Sequence, residues 1–264
     1  MKPLSLRLLL AASAALLLAS PAAAATTAKA PKPATLQITQ VGRLPFPERG
    51  YVIDLPTGAA VSSKAVQISE NGIGIGDFTL DALSASGVSY GTILALDASD
   101  SMAGDPEKGA ISAATTFVQR RAANQEIGIV AFNGAVNVIR QPTIDIGQLR
   151  ASLARAPKLA YGTRLFDAVQ RGVRLLAENK ISAGSIVLLS DGADIGSRSK
   201  LAKVVAAARA QHVRVFTVGL RSGAFDGSTL RALAKQTGGS YAEASSAKEL
   251  AGICSQLGSK LSRE

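Results

Sequence analysis

Oxygen-bearing side chains are concentrated in three short segments that lie far apart in the sequence. Asp97, Ser99 and Ser101 make up the first segment, Thr163 belongs to the second, and Asp191 belongs to the third. Carboxylate and hydroxyl oxygens suit a hard divalent cation, with Mg²⁺ as the first candidate and Mn²⁺ or Ca²⁺ as alternatives. Taken one at a time, the same residues are also common in turns and at helix caps. Together they indicate a cation site, provided that the fold brings the three segments to one place.

Other common site chemistries lack the residues that they need. The chain of 264 residues has one His, His212, and one Cys, Cys254. A structural zinc site needs more His and Cys ligands than these two, and a catalytic triad would depend on His212 alone. A single Cys also excludes an internal disulfide. We expect His212 to have an ordinary role at the start of a strand, and Cys254 to be a core residue of the last helix.

Alternating strands and helices are predicted from residue 92 onward. The uninterrupted apolar run over residues 186–189 is typical of a strand that is covered on both faces of a parallel sheet. Asn133 and Gly134 predict a tight turn into one antiparallel edge strand. The predicted fold class is therefore α/β, with a doubly wound, mostly parallel sheet flanked by helices. The predicted strands are 92–96, 126–132, 135–140, 185–189 and 213–218, and the predicted helices are 106–123, 146–155, 163–179, 199–211, 229–237 and 247–261.

This fold places the oxygen-bearing residues at one edge of the sheet. Asp97 and Asp191 each follow a predicted strand, and Thr163 begins a predicted helix. Ligands of such sheets bind outside the carboxyl ends of the strands. Two further carboxylates are nearby in sequence: we expect Asp167 to orient the Thr163 loop, and Asp194 to be a turn residue or helix cap.

Residues 1–25 have the order of a secretory signal peptide. Lys2 and Arg7 precede an apolar run over residues 8–19, and small residues follow, with cleavage expected after Ala24 or Ala25. The alternative to a cleaved signal peptide is an uncleaved anchor helix. The apolar run is shorter than the roughly 20 residues that a membrane span needs, which favours the signal peptide. We expect no other transmembrane segment. The mature protein is expected to be exported, extracellular or in the cell envelope, and periplasmic if the source has an outer membrane.

A linker and a small β-rich segment are predicted between residues 26 and 89. Residues 26–35 are Pro-containing and have no hydrophobic period. Residues 36–89 contain short apolar runs between turn residues, and Asn71-Gly72 predicts a hairpin there. The strands expected in this segment are 36–41, 51–55, 65–69 and 78–80.

The five oxygen-bearing positions resemble the site of a known family. In order, they match the metal-ion-dependent adhesion site of von Willebrand factor type A domains, written here as Asp97-x-Ser99-x-Ser101, Thr163 and Asp191. The motif Leu230-x-x-Leu233-Ala234-x-x-Thr237-Gly238-Gly239-x-Tyr241 is also similar to the late helix and turn of bacterial members. The resemblance extends over about residues 90–261, and we assign 90–264 to the domain.

The resemblance implies a binding function rather than catalysis. It implies that Ser99, Ser101 and Thr163 coordinate the cation through their hydroxyls, while Asp97 and Asp191 hold it through water or alternate as direct ligands. It further implies a protein partner whose acidic side chain completes the metal shell. Two alternatives stay open: a structural component of an envelope or secretion assembly that the metal stabilises, or a metal-assisted hydrolase. The hydrolase is less favoured, because Asp100 is the only spare carboxylate in the first loop to act as a base.

The charge of the chain qualifies the choice of partner. The formal net charge is +10 at pH 7, and aromatic residues make up 4% of the chain. The basic residues are scattered over predicted helices without aromatic side chains between them, so we expect no nucleic-acid partner. Excess positive charge instead favours acidic proteins or an anionic cell envelope.

Overall fold

The computed structural model describes residues 37–41, 48–54, 62–82, 85–221 and 225–262. The predicted signal peptide over 1–25 and the predicted linker over 26–35 lie outside these described residues. Within the described ranges, no helix is both long enough and apolar enough to span a membrane.

Two small antiparallel strand pairs precede the main sheet. They are β1 (Gln37–Gln40) with β2 (Tyr51–Asp54), and β3 (Ile68–Glu70) with β4 (Ile73–Ile75). The second pair turns at Asn71 and Gly72, whose φ angles of 52° and 82° suit a two-residue hairpin turn. The hairpin predicted at this turn is therefore confirmed. The strand predicted over 78–80 is wrong: residues 78–80 have no strand to pair with among the described residues and form none.

Six strands form the main sheet, in the spatial order β10-β9-β8-β5-β6-β7. All neighbours are parallel except β6 and β7, which are antiparallel and confirm the predicted edge hairpin. The strands are β5 (Tyr90–Asp97), β6 (Glu126–Phe132), β7 (Val136–Thr143), β8 (Ala183–Ser190), β9 (Arg214–Leu220) and β10 (Tyr241–Ala244).

In the part of the chain that the structure describes, six helices cover the two faces of this sheet, because successive side chains of each strand point to opposite sides. On β5, Leu94 and Leu96 pack with α1 and α6, whereas Ile93 and Ala95 pack with α3 and α4. The mostly parallel α/β fold predicted from the sequence is confirmed. The helices are α1 (Asp105–Gln119), α2 (Ile146–Leu153), α3 (Leu165–Glu178), α4 (Leu201–Ala210), α5 (Ser228–Thr237) and α6 (Ala247–Leu261).

The amino end of the sheet meets the β1–β2 pair. Val41 and Val52 are buried against Tyr90, the first residue of β5. The carboxyl ends of the parallel strands lie at the opposite edge of the sheet, which leaves that edge free for loops.

The structure tests three local predictions, which concern the end of the first helix, the position of His212 and the burial of Cys254. The first helix ends at Gln119 instead of residue 123, since the Arg121 guanidinium donates to the carbonyls of Ala122 and Ala123 and draws the chain into a turn. His212 lies in the turn before β9 with φ 53°, and the strand begins at Arg214. Cys254 is fully buried in the core, and burial raises the pKa of its thiol to about 12. A core role for Cys254 is confirmed.

Candidate metal centre

The first and third oxygen-bearing segments meet because β5 and β8 are parallel neighbours. Their register pairs Leu96 with Leu189, so Asp97 and Asp191 follow at the same edge of the sheet. The Ser101 hydroxyl donates to Asp191 Oδ1 at 3.0 Å, and the Ser99 and Ser101 hydroxyl oxygens are also 3.0 Å apart. Side chains that are ninety positions apart in the sequence are therefore in direct contact.

The Thr163 segment is held between the other two segments by backbone bonds. The Ala160 amide donates to the Ala98 carbonyl at 3.1 Å, next to Ser99. Thr163 and Ile195 exchange two backbone hydrogen bonds of 3.0 and 2.8 Å, which join the segment to the loop after β8. Asp97 at the end of β5 and the other four predicted positions in the loops therefore lie in three segments that are bonded to one another at the carboxyl edge.

Most of the site is closed to solvent. The exposed fractions of Asp97, Ser99, Thr163 and Asp191 are 2%, 3%, 5% and 3%. Ser101 is the exposed member of the group. The candidate site is therefore buried except at Ser101, through which it meets solvent.

Asp97 is already bonded through both of its carboxylate oxygens. Oδ1 accepts the Ser99 amide at 2.8 Å, and Oδ2 accepts the Ser190 hydroxyl at 2.5 Å. Burial raises the pKa of Asp97, the hydrogen bonds from Ser190 and Ser99 oppose this, and the charge of Asp191 adds to the increase. Ser190 was not a predicted site residue. Its place at the end of β8, opposite Asp97, follows only from the strand register.

Asp191 differs from Asp97 in having a carboxylate oxygen to spare. Its Oδ2 atom is buried and has no hydrogen-bond partner in the described part of the chain. A buried carboxylate oxygen without a partner is costly, and a cation would remove that cost. The described residues contain no group of three or more His, Cys, Asp and Glu side chains that could hold a metal. A cation here would therefore depend on hydroxyl ligands as well as on the two carboxylates, a donor set that fits Mg²⁺.

Residues 92–193, which contain all five positions, match the sequence model described as the von Willebrand factor type A domain. This part of the chain is therefore similar in sequence to von Willebrand factor type A domains. No curated protein matches the sequence.

Three solved structures show the same fold. A von Willebrand factor type A protein from Catenulispora acidiphila has 16% identity and a TM-score of 0.59 over 66% of this chain and 43% of its own, so this chain spans less than half of that protein. A conserved hypothetical protein, BatB, from Bacteroides thetaiotaomicron has 17% identity and a TM-score of 0.55 over 66% of this chain and all of its own. The vWF domain of the type V pili tip protein Mfa5 from Porphyromonas gingivalis has 13% identity and a TM-score of 0.55 over 65% and 94%.

Two glycines let the turn after β6 pack closely against the Thr163 segment. Gly162 has φ 96°, and a Cβ atom on it would lie 2.9 Å from the Gly134 Cα atom. A Cβ atom on Gly134 would lie 2.6 Å from the Tyr161 carbonyl oxygen. The Asn133 amide group adds a hydrogen bond of 3.0 Å to the Lys158 carbonyl. The Asn-Gly pair therefore supports the candidate site as well as turning the hairpin, which its sequence signal did not predict.

The two further carboxylates hold the domain's loops in place. Asp194 Oδ1 accepts the Phe166 amide at 3.0 Å in the first turn of α3, which makes it a helix cap supplied by another loop. The Asp167 carboxylate accepts the amides of Arg198 and Ser199, both at 2.9 Å. Each therefore links α3 to the loop after β8. The cap role expected for Asp194 is confirmed, whereas Asp167 holds the loop after β8 instead of the Thr163 loop that it was expected to orient.

Replacing Asp167 by Asn is expected to reduce stability at neutral pH by about 1 kcal/mol, less than hydrogen bonds to a charged group usually contribute, because the carboxylate is partly solvated. Burial raises the pKa of Asp167, but the bonds from the Arg198 and Ser199 amides outweigh it, so the pKa lies below the ordinary 3.8. A lowered pKa in the folded state stabilises the fold above 3.8, and this contribution is lost as the pH falls further. Urea unfolding over a pH series should show the two proteins converging below 3.8. A difference that stays constant with pH would contradict this assignment.

Proposed function

We propose that this chain is an exported binding protein whose von Willebrand factor type A domain holds a divalent cation, Mg²⁺ first, and through it captures an acidic side chain of a protein partner. The observation that supports this most directly is the buried Asp191 Oδ2 atom, which has no hydrogen-bond partner among the described residues. The other oxygen of the same carboxylate, Oδ1, accepts the hydroxyl of Ser101, which is the exposed member of the group.

The side chains divide into ligands and supports. The hydroxyls of Ser99, Ser101 and Thr163 are the proposed neutral ligands, and Asp191 is the carboxylate with an oxygen available for the cation. Asp97 uses both oxygens to hold the Ser99 amide and the Ser190 hydroxyl, so it is better suited to a contact through water. When bound, Mg²⁺ supplies a coordination position for an external anionic oxygen, since three neutral hydroxyls leave its charge only partly compensated.

Export and a place at the cell envelope are part of the same proposal. They are supported by the charged, apolar and small-residue order of residues 1–25. The domain of similar fold from Porphyromonas gingivalis belongs to a protein described as a pilus tip protein. That likeness supports a binding or assembly role, and the excess positive charge favours an acidic partner.

Thr163→Val tests the proposal, because it removes one hydroxyl ligand and keeps the volume of the side chain. The full-length protein is immobilised and exposed to envelope extract in MgCl₂ or in EDTA, and captured proteins are identified. We expect the wild type to capture a partner only in Mg²⁺, and Thr163→Val to lose that capture. Thr116→Val is the matched control, since the Thr116 hydroxyl bonds within α1 to the Ser112 carbonyl. Capture that is equal in EDTA would overturn the proposal.

A structural role is the second candidate, and the contact between Ser101 and Asp191 favours it. This bond joins the loops after β5 and β8, so a cation between them would also stiffen the fold. In that case MgCl₂ raises the midpoint of urea unfolding, and no partner is lost when EDTA is added. The same capture experiment and an unfolding series in MgCl₂ and EDTA therefore separate the two functions.

A further inference from the structure

Exposed apolar side chains are rare in the part of the chain from residue 90 onward, and two of them flank the candidate metal centre. Among the described residues of that part, the large exposed hydrophobic side chains are Ile144, Tyr161 and Ile195. Tyr161 is 80% exposed and Ile195 is 50% exposed. Exposed apolar side chains that lie close together and are surrounded by polar residues are typical of interaction surfaces.

The backbone that carries both residues is the backbone that builds the site. Tyr161 lies two positions before Thr163, and its carbonyl oxygen is packed closely against Gly134. Ile195 is fastened to Thr163 by the two backbone hydrogen bonds of 2.8 and 3.0 Å. Both apolar side chains are therefore presented from a fixed frame, so little ordering of the backbone is needed when a partner binds.

Positive charge lies in the same two loops. Lys158 and Arg198 are exposed, and neither forms an ion pair with any other residue that the structure describes. Basic side chains at the border of a binding site attract an acidic partner and repel a basic one. Tyr161 and Ile195, with Lys158 and Arg198 near them, therefore complement a partner segment in which an apolar side chain lies next to a carboxylate.

We propose that Tyr161 and Ile195 form an apolar rim that selects, among acidic partners, those with an aliphatic or aromatic residue beside the carboxylate. This inference rests on the proposed function, since the carboxylate is the one that the cation would receive. Aromatic residues at the centre of interfaces commonly contribute most of the binding free energy. The cation would therefore require an acidic residue in the partner. The apolar rim would select which of the acidic segments bind.

A displayed library of short peptides tests the rim. Each peptide carries one fixed Asp or Glu between random residues, is bound to the full-length protein in MgCl₂, and is eluted with EDTA. We expect apolar residues to be enriched next to the carboxylate for the wild type. Tyr161→Ser and Ile195→Ser are expected to lose this enrichment and to weaken binding of the selected peptides about tenfold.

Ile144→Ser is the matched control. Ile144 is an exposed Ile that follows β7, and Thr143 beside it pairs with Ile127 near the amino end of β6. It therefore lies at the edge of the sheet opposite the site, and its replacement should leave peptide selection unchanged. Titration with MgCl₂ alone should give equal affinities for the wild type and Tyr161→Ser.

The outcomes separate this inference from the proposed function. Peptides that elute with EDTA and show no apolar enrichment would overturn the rim and support the cation-dependent function. A loss of Mg²⁺ affinity in Tyr161→Ser as large as its loss of peptide binding would also overturn the rim, because Tyr161 would then act on the ion. A library that gives no EDTA-eluted peptide would count against both proposals.

Discussion

Asp191→Asn is expected to lower the affinity for Mg²⁺ by about 100-fold or more, beyond the range seen when supporting residues of metal sites are replaced. The substitution removes the charge of the only site carboxylate that has a buried oxygen without a hydrogen-bond partner in the described residues. The amide oxygen of Asn can still accept the hydrogen bond from the Ser101 hydroxyl, so the contact between the two loops is retained. Calorimetric titration with MgCl₂ measures the affinity directly.

The stabilities of Asp191→Asn and the wild type should change order between EDTA and MgCl₂. In EDTA, Asp191→Asn is expected to be at least as stable as the wild type, because the charges of Asp97 and Asp191 oppose one another. In excess MgCl₂ the wild type should be the more stable protein, since ligand binding to the folded state stabilises it. Urea unfolding under the two conditions checks the order.

Asp105→Asn is the control for the change in charge. Asp105 is an exposed carboxylate in the first turn of α1, at the same edge of the sheet, and its ion pair with Lys108 is a long one of 4.0 Å. Its replacement should leave both the affinity and the order of stability unchanged. If Asp105→Asn weakened Mg²⁺ binding as much as Asp191→Asn, a general attraction of the cation to exposed carboxylates would explain the binding, and the assignment of Asp191 would be wrong.

The sequence predicts the main sheet well because local patterns and global fold agree there. The apolar run that became β8 has no polar residue over 186–189, and both of its faces are buried under helices. Once the strands are parallel, the residues that follow them must meet at one edge. This is why the three segments with Asp97, Thr163 and Asp191 could be placed together before any distance was known.

The missed features depend on contacts between segments that are far apart in the sequence. A Ser at the end of a strand can have many roles, and only the register between β5 and β8 places the Ser190 hydroxyl on Asp97. The edge strand β10 (Tyr241–Ala244) has only four residues and no apolar run, so its pairing with β9 gives it a strand conformation that its composition does not predict. The bracing of the site by Gly134 likewise needs the position of Tyr161, which no local pattern contains.

Gly239→Ala is expected to have the largest effect on stability, about 3 kcal/mol or more, because it would overpack a buried backbone contact. A Cβ atom on Gly239 would lie 2.0 Å from the Val215 carbonyl oxygen and 2.5 Å from its carbonyl carbon. Val215 lies in β9 and is fully buried, so the strand cannot move away without disturbing the sheet. Thr237, two positions before Gly239, holds α5 against the same strand, since its hydroxyl accepts the Val215 amide at 3.2 Å.

Gly238→Ala is the matched comparison, because the adjacent glycine is required for a different reason. Gly238 has φ 75° and no atom within 4 Å of an added Cβ, so only the left-handed conformation opposes a side chain there. That conformation costs roughly 1–2 kcal/mol for an L residue. Urea unfolding should therefore give a much lower free energy of unfolding for Gly239→Ala than for Gly238→Ala. Equal stabilities for the two variants would contradict the close approach to β9.

Gly239→Ala should lower the stability of the fold and have little effect on the affinity of the metal centre for Mg²⁺. The variant therefore distinguishes an effect on stability from an effect on binding. Gly239 contacts β9, which is separated from β5 by β8, and it touches none of the five oxygen-bearing residues. At a temperature where the variant is still folded, its Mg²⁺ affinity should equal that of the wild type. Asp191→Asn should show the reverse, with a folded domain and lost affinity. If Gly239→Ala lost Mg²⁺ binding while folded, the turn after α5 would be coupled to the site across two strands, and the metal centre would not be a local property of its three loops.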